Sequence, residues 1–585
     1  MPEPRFLVVG GGLAGLMTAI KLCEGGGTVD LFSVVPVKRS HSVCAQGGIN
    51  AAVNWKGEGD DPLIHFDDTI YGGDFLANQP PVKAMCEHAP QIIFLLDRMG
   101  VPFNRTAEGL LDFRRFGGTK HHRTAFAGAT TGQQMLYALD EQVRRFEAEG
   151  KVRKFETWEF LSLILDERGV CRGITTLDLR SMRVEAFLGD AVALATGGPG
   201  IIFGRSTNSI VNTGTAASAA YQQGAIYANG EFIQVHPTAI PGEDKLRLIS
   251  ESVRGEGGRV WVPRDGTPWY FLEEMYPAYG NLVPRDIASR AVFKVVFEMG
   301  LGVDGENAVY LDVTHKDPLE LTRKLGGVLE IYEKFMGTDP RHMPMKVFPA
   351  MHYSMGGLWV DYDQMTNVPG LFAVGEVDYA YHGANRLGAN SLLSCLWGGM
   401  VAGPKMLAWA RGQGRPGAEA PSGLGERERR RQEEVYERVY AMDGPENAWA
   451  LWRELGEWMT QHVTVVRENA GLRRTDDKLR ELQERWGRIG LHDRGRWMNQ
   501  EVSFIKQLWN MLELARVITL GALERDESRG AHYKPAFPER DDARFLKTTM
   551  ARWSADGPTL RYEDVDVSLI TPRPRTYDID KKVSA

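Results

Sequence analysis

Residues 38–48 read Lys-Arg-Ser-His-Ser-Val-Cys-Ala-Gln-Gly-Gly. One imidazole, His41, stands there among small, basic and glycine residues, which let backbone approach a ligand closely. Upstream, Gly10, Gly12 and Gly15 follow an apolar run with G-x-G-x-x-G spacing. In a strand–turn–helix context this spacing cradles a dinucleotide. The first glycine permits the tight turn and the second lets backbone touch the pyrophosphate. The third lets the helix pack on the strand, with its N-terminus toward the anion. A histidine placed just after such a unit reads as the covalent anchor of a flavin.

The elements that must position these groups follow from pattern. A buried strand is expected at 5–9, a helix ending near the glycines at 25–27, and a second strand at 29–33. That strand ends in Ser33, where an NAD site would carry Asp or Glu for the ribose. Helices are expected at 81–100, despite Pro90, and at 132–149. The alternation of 155–165 and 173–188 predicts a small antiparallel sheet. A buried strand at 192–195 runs into Thr196-Gly197-Gly198, a second close backbone approach to a nucleotide. Another, near 370–376, ends in an acid, Glu376, suited to flavin or ribose contacts. The helix after Ser391 and Leu392 would aim its N-terminus at the flavin ring.

The 585 residues call for several domains. The expected fold class is α/β. A Rossmann-like FAD-binding domain (1–237 and 351–411) carries an inserted α+β capping domain (238–350). A linker (412–425), a helical domain (426–528) and a small C-terminal region (529–585) follow. The net charge of −7 argues against nucleic acid as a partner. No apolar run approaches the ~20 residues of a membrane helix, and no export signal is read at the N-terminus. Five cysteines without C-x-x-C spacing exclude an ordinary four-cysteine cluster or a structural zinc, so no metal is expected. The adjacent His121 and His122 have no third spaced ligand and read as hydrogen-bonding residues. A lone histidine such as His236 is more often structural than catalytic.

Taken together, the strings SHSVCAQGGIN, RRFGGTKHHRTAFAGATTGQQ, FIQVHPTAIPG, SESVRGEGG, NLVPRDIASR, MHYSMGGLWVDYDQMTN and GANRLGANSLLS closely resemble the flavoprotein subunit of succinate dehydrogenase/fumarate reductase. The likeness covers nearly the full length and is greatest to the type found in Gram-positive bacteria. It implies that His41 bonds the 8α methyl of FAD. It assigns cofactor contacts to Gly10, Gly11, Gly12, Leu13, Ala14, Gly15, Ser33, Lys38, Arg39, Ser40, Ser42, Gln46, Gly47, Gly48, Ala195, Thr196, Gly197, Thr215, Glu376, Ser391 and Leu392. His236, Ser250, His352 and Arg386 match the dicarboxylate-binding positions, and Arg285 the proton-transfer position, with Glu251 and Arg254 as its relay. Two departures stand out: Thr215 where relatives often have Asp, and Ser250 where they often have Thr.

The resemblance implies oxidation of succinate to fumarate by hydride transfer to covalent FAD. Electrons would pass to an iron–sulfur subunit and a membrane cytochrome b anchor that reduces quinone. The chain would sit at the cytoplasmic face of the cell membrane, held by those partners. Fumarate reduction in the reverse direction and L-aspartate oxidase are the alternatives. The His41 context argues against the second, which binds FAD non-covalently.

Overall fold

The computed structural model describes residues 3–242, 246–413 and 423–577. The part of the expected linker at 414–422 and the last residues of the C-terminal region lie outside the described residues.

Along the chain, β1 (Arg5–Val9), α1 (Leu13–Glu24) and β2 (Thr28–Ser33) form the nucleotide-binding unit. Then come β3 (Val152–Glu156) and β4 (Ala191–Leu194). An excursion follows through β5 (Ile233–Ile240), α2 (Arg285–Phe293) and β6 (Met345–Ser354). The chain returns in β7 (Leu371–Ala373) and α3 (Asn390–Gly412). The central sheet is parallel, in the order β7-β4-β1-β2-β3. Its residues alternate between two cores, as period-two geometry requires. Phe6 and Val8 face the layer of α1, while Leu7 and Val9 face a second cluster. A sheet covered on both faces explains why these strands are apolar throughout.

The sequence reading took 155–165 as one strand. The chain breaks instead at Thr157, which has φ 66°. The residues before it join the parallel sheet as the edge strand β3. Those after it begin a three-stranded antiparallel sheet, Trp158–Leu165, Cys171–Asp178 and Arg183–Leu188.

The cap is a six-stranded antiparallel sheet with α2 packed on it. Strands β5 and β6 are its second and third strands, and they continue across the points 237/238 and 350/351 where the sequence suggested boundaries. Helices Leu424–Tyr440, Ala448–Val463, Asn469–Trp486 and Gln500–Glu524 form the helical region. The hairpin Lys547–Arg552/Thr559–Asp564 then adds two strands to a small sheet with Tyr227–Ala228 and Gly357–Leu358. No helix among the described residues is long and apolar enough to cross a membrane.

The glycine turn is as tight as the fingerprint demands. Gly10 has φ +118°, and a Cβ there would lie 2.1 Å from the Ala195 carbonyl oxygen. A Cβ on Gly15 would lie 1.9 Å from the Gly10 carbonyl oxygen, so α1 meets β1 backbone to backbone. Gly15→Ala should therefore cost about 1–3 kcal/mol through overpacking and lower the flavin content. Thermal unfolding with bound-flavin absorbance measures both, and unchanged values would refute the close-packing role.

Candidate active site

One cavity of about 1080 Å³ runs from the glycine turn into the cap. That is at the upper end of small-molecule pockets. Gly10, Gly11, Gly12, Leu13 and Ala14 line it at the start of α1, and Ser33 lines it at the end of β2. Residues 40–48 line it as well, including Ser40, His41, Ser42, Gln46, Gly47 and Gly48. Ala195, Thr196, Gly197, Thr215, Glu376, Ser391 and Leu392 complete the expected cofactor wall. Gly12 offers no capping side chain, and of the first-turn N–H groups Leu13 N–H donates to Ser42 Oγ at 3.3 Å; the positive end of α1 still faces the groove, as an anion site requires. A buried, glycine-walled groove with this donor set fits a dinucleotide.

Three expected cofactor residues do not line the cavity. Gly15 is spent on helix–strand packing. Lys38 turns away: its ammonium lies 3.6 Å from both Asp140 and Glu141 and 5.1 Å from the Tyr137 ring centre. Arg39 is exposed. The short helical turn Val37–Arg39 points these two long side chains outward before the chain enters the cavity wall.

Glu376 stands just after β7, on the 3-10 turn Gly375–Val377 rather than in the strand. Ser354 N donates to its Oε1 at 3.1 Å. Burial pushes its carboxyl up to about 7. Thr215, where relatives often have Asp, is the first residue of a helix, and its N–H donates to Thr213 Oγ1 at 3.2 Å.

At the cap end the strand pairing builds the chemistry. Antiparallel β5 and β6 set His236 beside Ala350 and Gln234 beside Tyr353, with register shifts on either side of Val235–His236. Bulges of this kind re-aim side chains at active sites. The His236 and His352 rings meet edge-on at 5.1 Å. His236 does not line the cavity. It is fully buried behind His352, with Nδ1 accepting from Thr238 N–H at 3.2 Å and Nε2 without a partner. His352 lines the cavity, and its Nδ1 is 2.7 Å from Thr207 Oγ1. Burial, and then the Arg285 charge, hold both imidazoles well below their ordinary pKa, so they are neutral.

Arg285 is the first residue of α2, which starts directly after Pro284. Its Nε donates to Glu251 Oε2 at 2.8 Å and its Nη1 to Gln234 Oε1 at 3.0 Å. Arg386 Nη2 donates to the same Gln234 oxygen at 2.8 Å, and its guanidinium stacks on Tyr353 at 4.5 Å. Arg254 Nη2 donates to the other Glu251 oxygen at 3.0 Å. Burial would raise the Glu251 carboxyl, but Arg285 and Arg254 outweigh it and hold it below the usual range. Burial, and then the neighbouring Arg285, push Arg386 down to about 9. Two guanidiniums thus converge on the Glu251 carboxylate and a third, Arg386, joins them through Gln234, which leaves two positive charges in surplus over that one carboxylate. Ser250, on the cavity wall, accepts from Ser252 Oγ at 2.8 Å.

All seven expected substrate and relay residues gather at this one end; Arg254 and His236 stand behind the cavity surface. Sequence reading missed Gln234, the acceptor shared by both arginines. It lies two residues before His236 on the same strand, and that spacing was the available signal. Thr207, Asn208 and Phe116 were also missed; Phe116 lies inside the string RRFGGTKHHRTAFAGATTGQQ, whereas nothing in the local sequence marked the other two. His121 and His122, read as hydrogen-bonding residues, pair with acids: His122 Nδ1 is 2.7 Å from Glu58 and His121 Nδ1 is 3.7 Å from Asp60.

Comparison with known proteins agrees with this geometry. Residues 5–392 match the FAD binding domain family, and residues 452–577 match the fumarate reductase flavoprotein C-terminal family. The succinate dehydrogenase flavoprotein subunit of Bacillus subtilis is 66% identical over 100% of both chains. The fumarate reductase flavoprotein subunit of Escherichia coli is 34% identical, over 98% of this chain and 96% of its own. Among solved structures, a mutated Escherichia coli quinol fumarate reductase superposes with TM-score 0.92 at 32% identity, covering 98% of each chain. A quinol–fumarate reductase with menaquinol molecules gives TM-score 0.89 at 32% identity, covering 98% of this chain and all of the other.

The Gln234 amide is locked, because its Nε2 donates to Asn385 Oδ1 at 2.9 Å and to the Arg386 carbonyl at 2.7 Å. Gln234→Leu removes the acceptor that holds two like charges together. Dianion binding should weaken by on the order of tenfold with flavin content unchanged. Titrating the flavin absorbance with fumarate measures this, and an unaltered affinity would show that the arginines hold their places without it.

Proposed function

We propose a mechanism from one premise: the chain belongs to the succinate dehydrogenase/fumarate reductase flavoprotein family. It is an FAD-dependent oxidoreductase. The reading made here is that the cap end of the cavity grips succinate and that the named side chains carry out its conversion to fumarate. One observation carries it: Arg285, Arg386, His352 and Ser250 share a cavity with the glycine turn and His41, and the surplus of two positive charges matches a four-carbon dianion.

Bound FAD supplies the hydride acceptor. The protein's part is to hold, orient and deprotonate. Arg386 offers a planar fork to one carboxylate. His352, backed by His236, and the Ser250 hydroxyl serve the rest of the dianion. Gripping both ends fixes the central carbons, converting binding energy into orientation.

Arg285 moves the proton. It is an unusual base, because a guanidinium is normally always protonated. Its Nε is bonded to Glu251, which is bonded in turn to Arg254. Arg254 Nη1 reaches the Asn281 and Val283 carbonyls at 2.7 and 3.3 Å, which extends the chain of polar groups away from the cavity. Glu251, hydrogen-bonded to Arg285 Nε, takes the proton onward. Arg285→Lys separates this role from simple pairing. Turnover should collapse while fumarate still binds; near-normal turnover with normal binding would reject the proton role.

His41 is read as the covalent attachment point. It lies on the cavity wall, and its Nδ1 accepts from Ser209 N–H at 3.2 Å. The purpose of the bond is redox tuning rather than retention, since the groove already encloses the cofactor. His41→Ser should keep FAD non-covalently and keep some fumarate reduction, but lose succinate oxidation. Retained succinate oxidation in that variant would overturn the tuning argument.

The next residue after Ser209, Ile210, is 74% exposed, so the tethered edge lies close to the surface. Electrons leave there to an iron–sulfur partner, because the five cysteines are scattered and belong to no candidate metal group among the described residues. That partner, with a membrane cytochrome b and quinone beyond it, would hold the chain at the cytoplasmic face of the membrane.

A further inference from the structure

Arg114 is 2% exposed, and among the described residues its hydrogen bonds all go to backbone carbonyls. It ends the two-residue strand Phe113–Arg114, which pairs with Thr124–Ala125, and that strand pairs in turn with Ile49–Asn50. Successive side chains of an extended chain face opposite ways. Arg115 reaches outward to Glu58 at 3.3 Å, whereas Arg114 turns inward. Its Nε donates to the Gly47 carbonyl at 3.1 Å and its Nη2 to the Gln46 carbonyl at 3.2 Å. Nη2 also reaches the carbonyls of Gly47 and Gly128. The guanidinium lies over the Phe126 ring, 4.1 Å from its centre. Burial pushes its pKa down to about 9, against the pull of Glu256 and Asp112, so the group stays charged at neutral pH.

The two carbonyls belong to consecutive peptide groups, Gln46–Gly47 and Gly47–Gly48. A trans peptide is planar and sets its N–H opposite its C=O. An arginine that gathers both carbonyls on one side therefore turns the Gly47 and Gly48 N–H groups to the other. Gln46, Gly47 and Gly48 line the cavity, and Arg114 stands behind them. The segment is packed tightly in this pose. A Cβ on Gly47 would lie 2.7 Å from the Phe116 ring, and one on Gly48, at φ +136°, 2.4 Å from the Ala125 carbonyl oxygen. Gln46 Nε2 donates to the Leu248 carbonyl at 3.0 Å, which ties the segment to the cap as well.

We infer that Arg114 is a positioning residue that raises the reduction potential of the flavin: it aims two adjacent peptide N–H groups at the ring and keeps a buried positive charge behind them. This rests on reading the 40–48 wall as the place of the flavin ring. Hydride transfer adds two electrons and one proton, so the reduced ring is richer by one negative charge. Donors and a cation fixed in a site closed to water favour that richer form over the oxidised one.

The test measures the midpoint potential of the flavin in the purified complex, by titration against redox dyes, with flavin content counted alongside. Arg114→Met keeps most of the volume and removes the charge and the donors. Its equilibrium constant for flavin reduction should fall at least tenfold, which for two electrons is about 30 mV, with FAD retained. Arg114→Lys keeps the charge but cannot fork to both carbonyls, so its potential should fall between those of Arg114→Met and the wild type. An Arg114→Met protein that holds FAD at the wild-type potential overturns the inference. An Arg114→Lys potential equal to the wild type, or no higher than that of Arg114→Met, overturns it too. If Arg114→Met holds no FAD, Arg114→Lys decides alone against the wild type. Loss of FAD from both variants marks Arg114 as a support for binding only and also overturns it. Hydrogen–deuterium exchange of the 46–48 segment in His41→Ser, before and after FAD is added, tests the underlying reading separately. Slower exchange supports the ring on this wall; unchanged exchange with FAD bound overturns that reading and the inference with it.

Discussion

Glu251 is the carboxylate on which the site depends. It is 1% exposed and shared between Arg254 and Arg285, with Gly117 N donating to it at 3.1 Å. A buried charge is tolerable only when it is paired and hydrogen-bonded; here Arg254 lies one turn away, whereas Arg285 and Gly117 come from distant stretches of chain. The demand for space is as strict as the demand for charge. A Cβ on Gly117 would lie 2.2 Å from one Glu251 oxygen, and one on Gly388 would lie 2.7 Å from the other. The cap, the 116–118 loop and the 386–388 loop therefore close on a single side chain.

From that constraint the electrostatics follow. Arg285 and Arg386 would repel each other, and no second carboxylate separates them. The neutral Gln234 oxygen does so instead, accepting from both without cancelling either charge. The result is a site that remains cationic toward a ligand while its own polar groups are largely satisfied. Burial first, and the same field second, hold His236 and His352 well below the ordinary imidazole range, so they do not add to the repulsion. The cap end of the cavity thus carries its charge on guanidiniums, with two buried imidazoles beside them.

The His41 edge of the cavity is built on a different principle. The glycine turn, α1 and the 40–48 segment form a backbone cradle, where small residues matter because larger ones would fill the groove. The polar groups that address His41 come from the 204–214 segment, far away in sequence.

Much of this was legible in the chain itself. The strand–glycine–helix unit, the apolar strands of a sheet buried on both faces, and the motif residues His41, Arg285, His352 and Arg386 each carry a local signature. That signature is spacing, periodicity or a string that few other folds use. Tertiary structure alone decided what these residues touch. Lys38 and Arg39 belong to a cofactor motif, yet a one-turn helix aims them outward. Thr157 breaks an apparently continuous strand because its left-handed backbone redirects the chain between two sheets. Gln234 meets both arginines only when β5 pairs with β6, and His41 meets Asn208 and Ser209 only when the 204–214 segment reaches it. Local pattern fixes which face a residue takes, whereas the partner across a gap of more than a hundred residues is set by how the sheets and loops close.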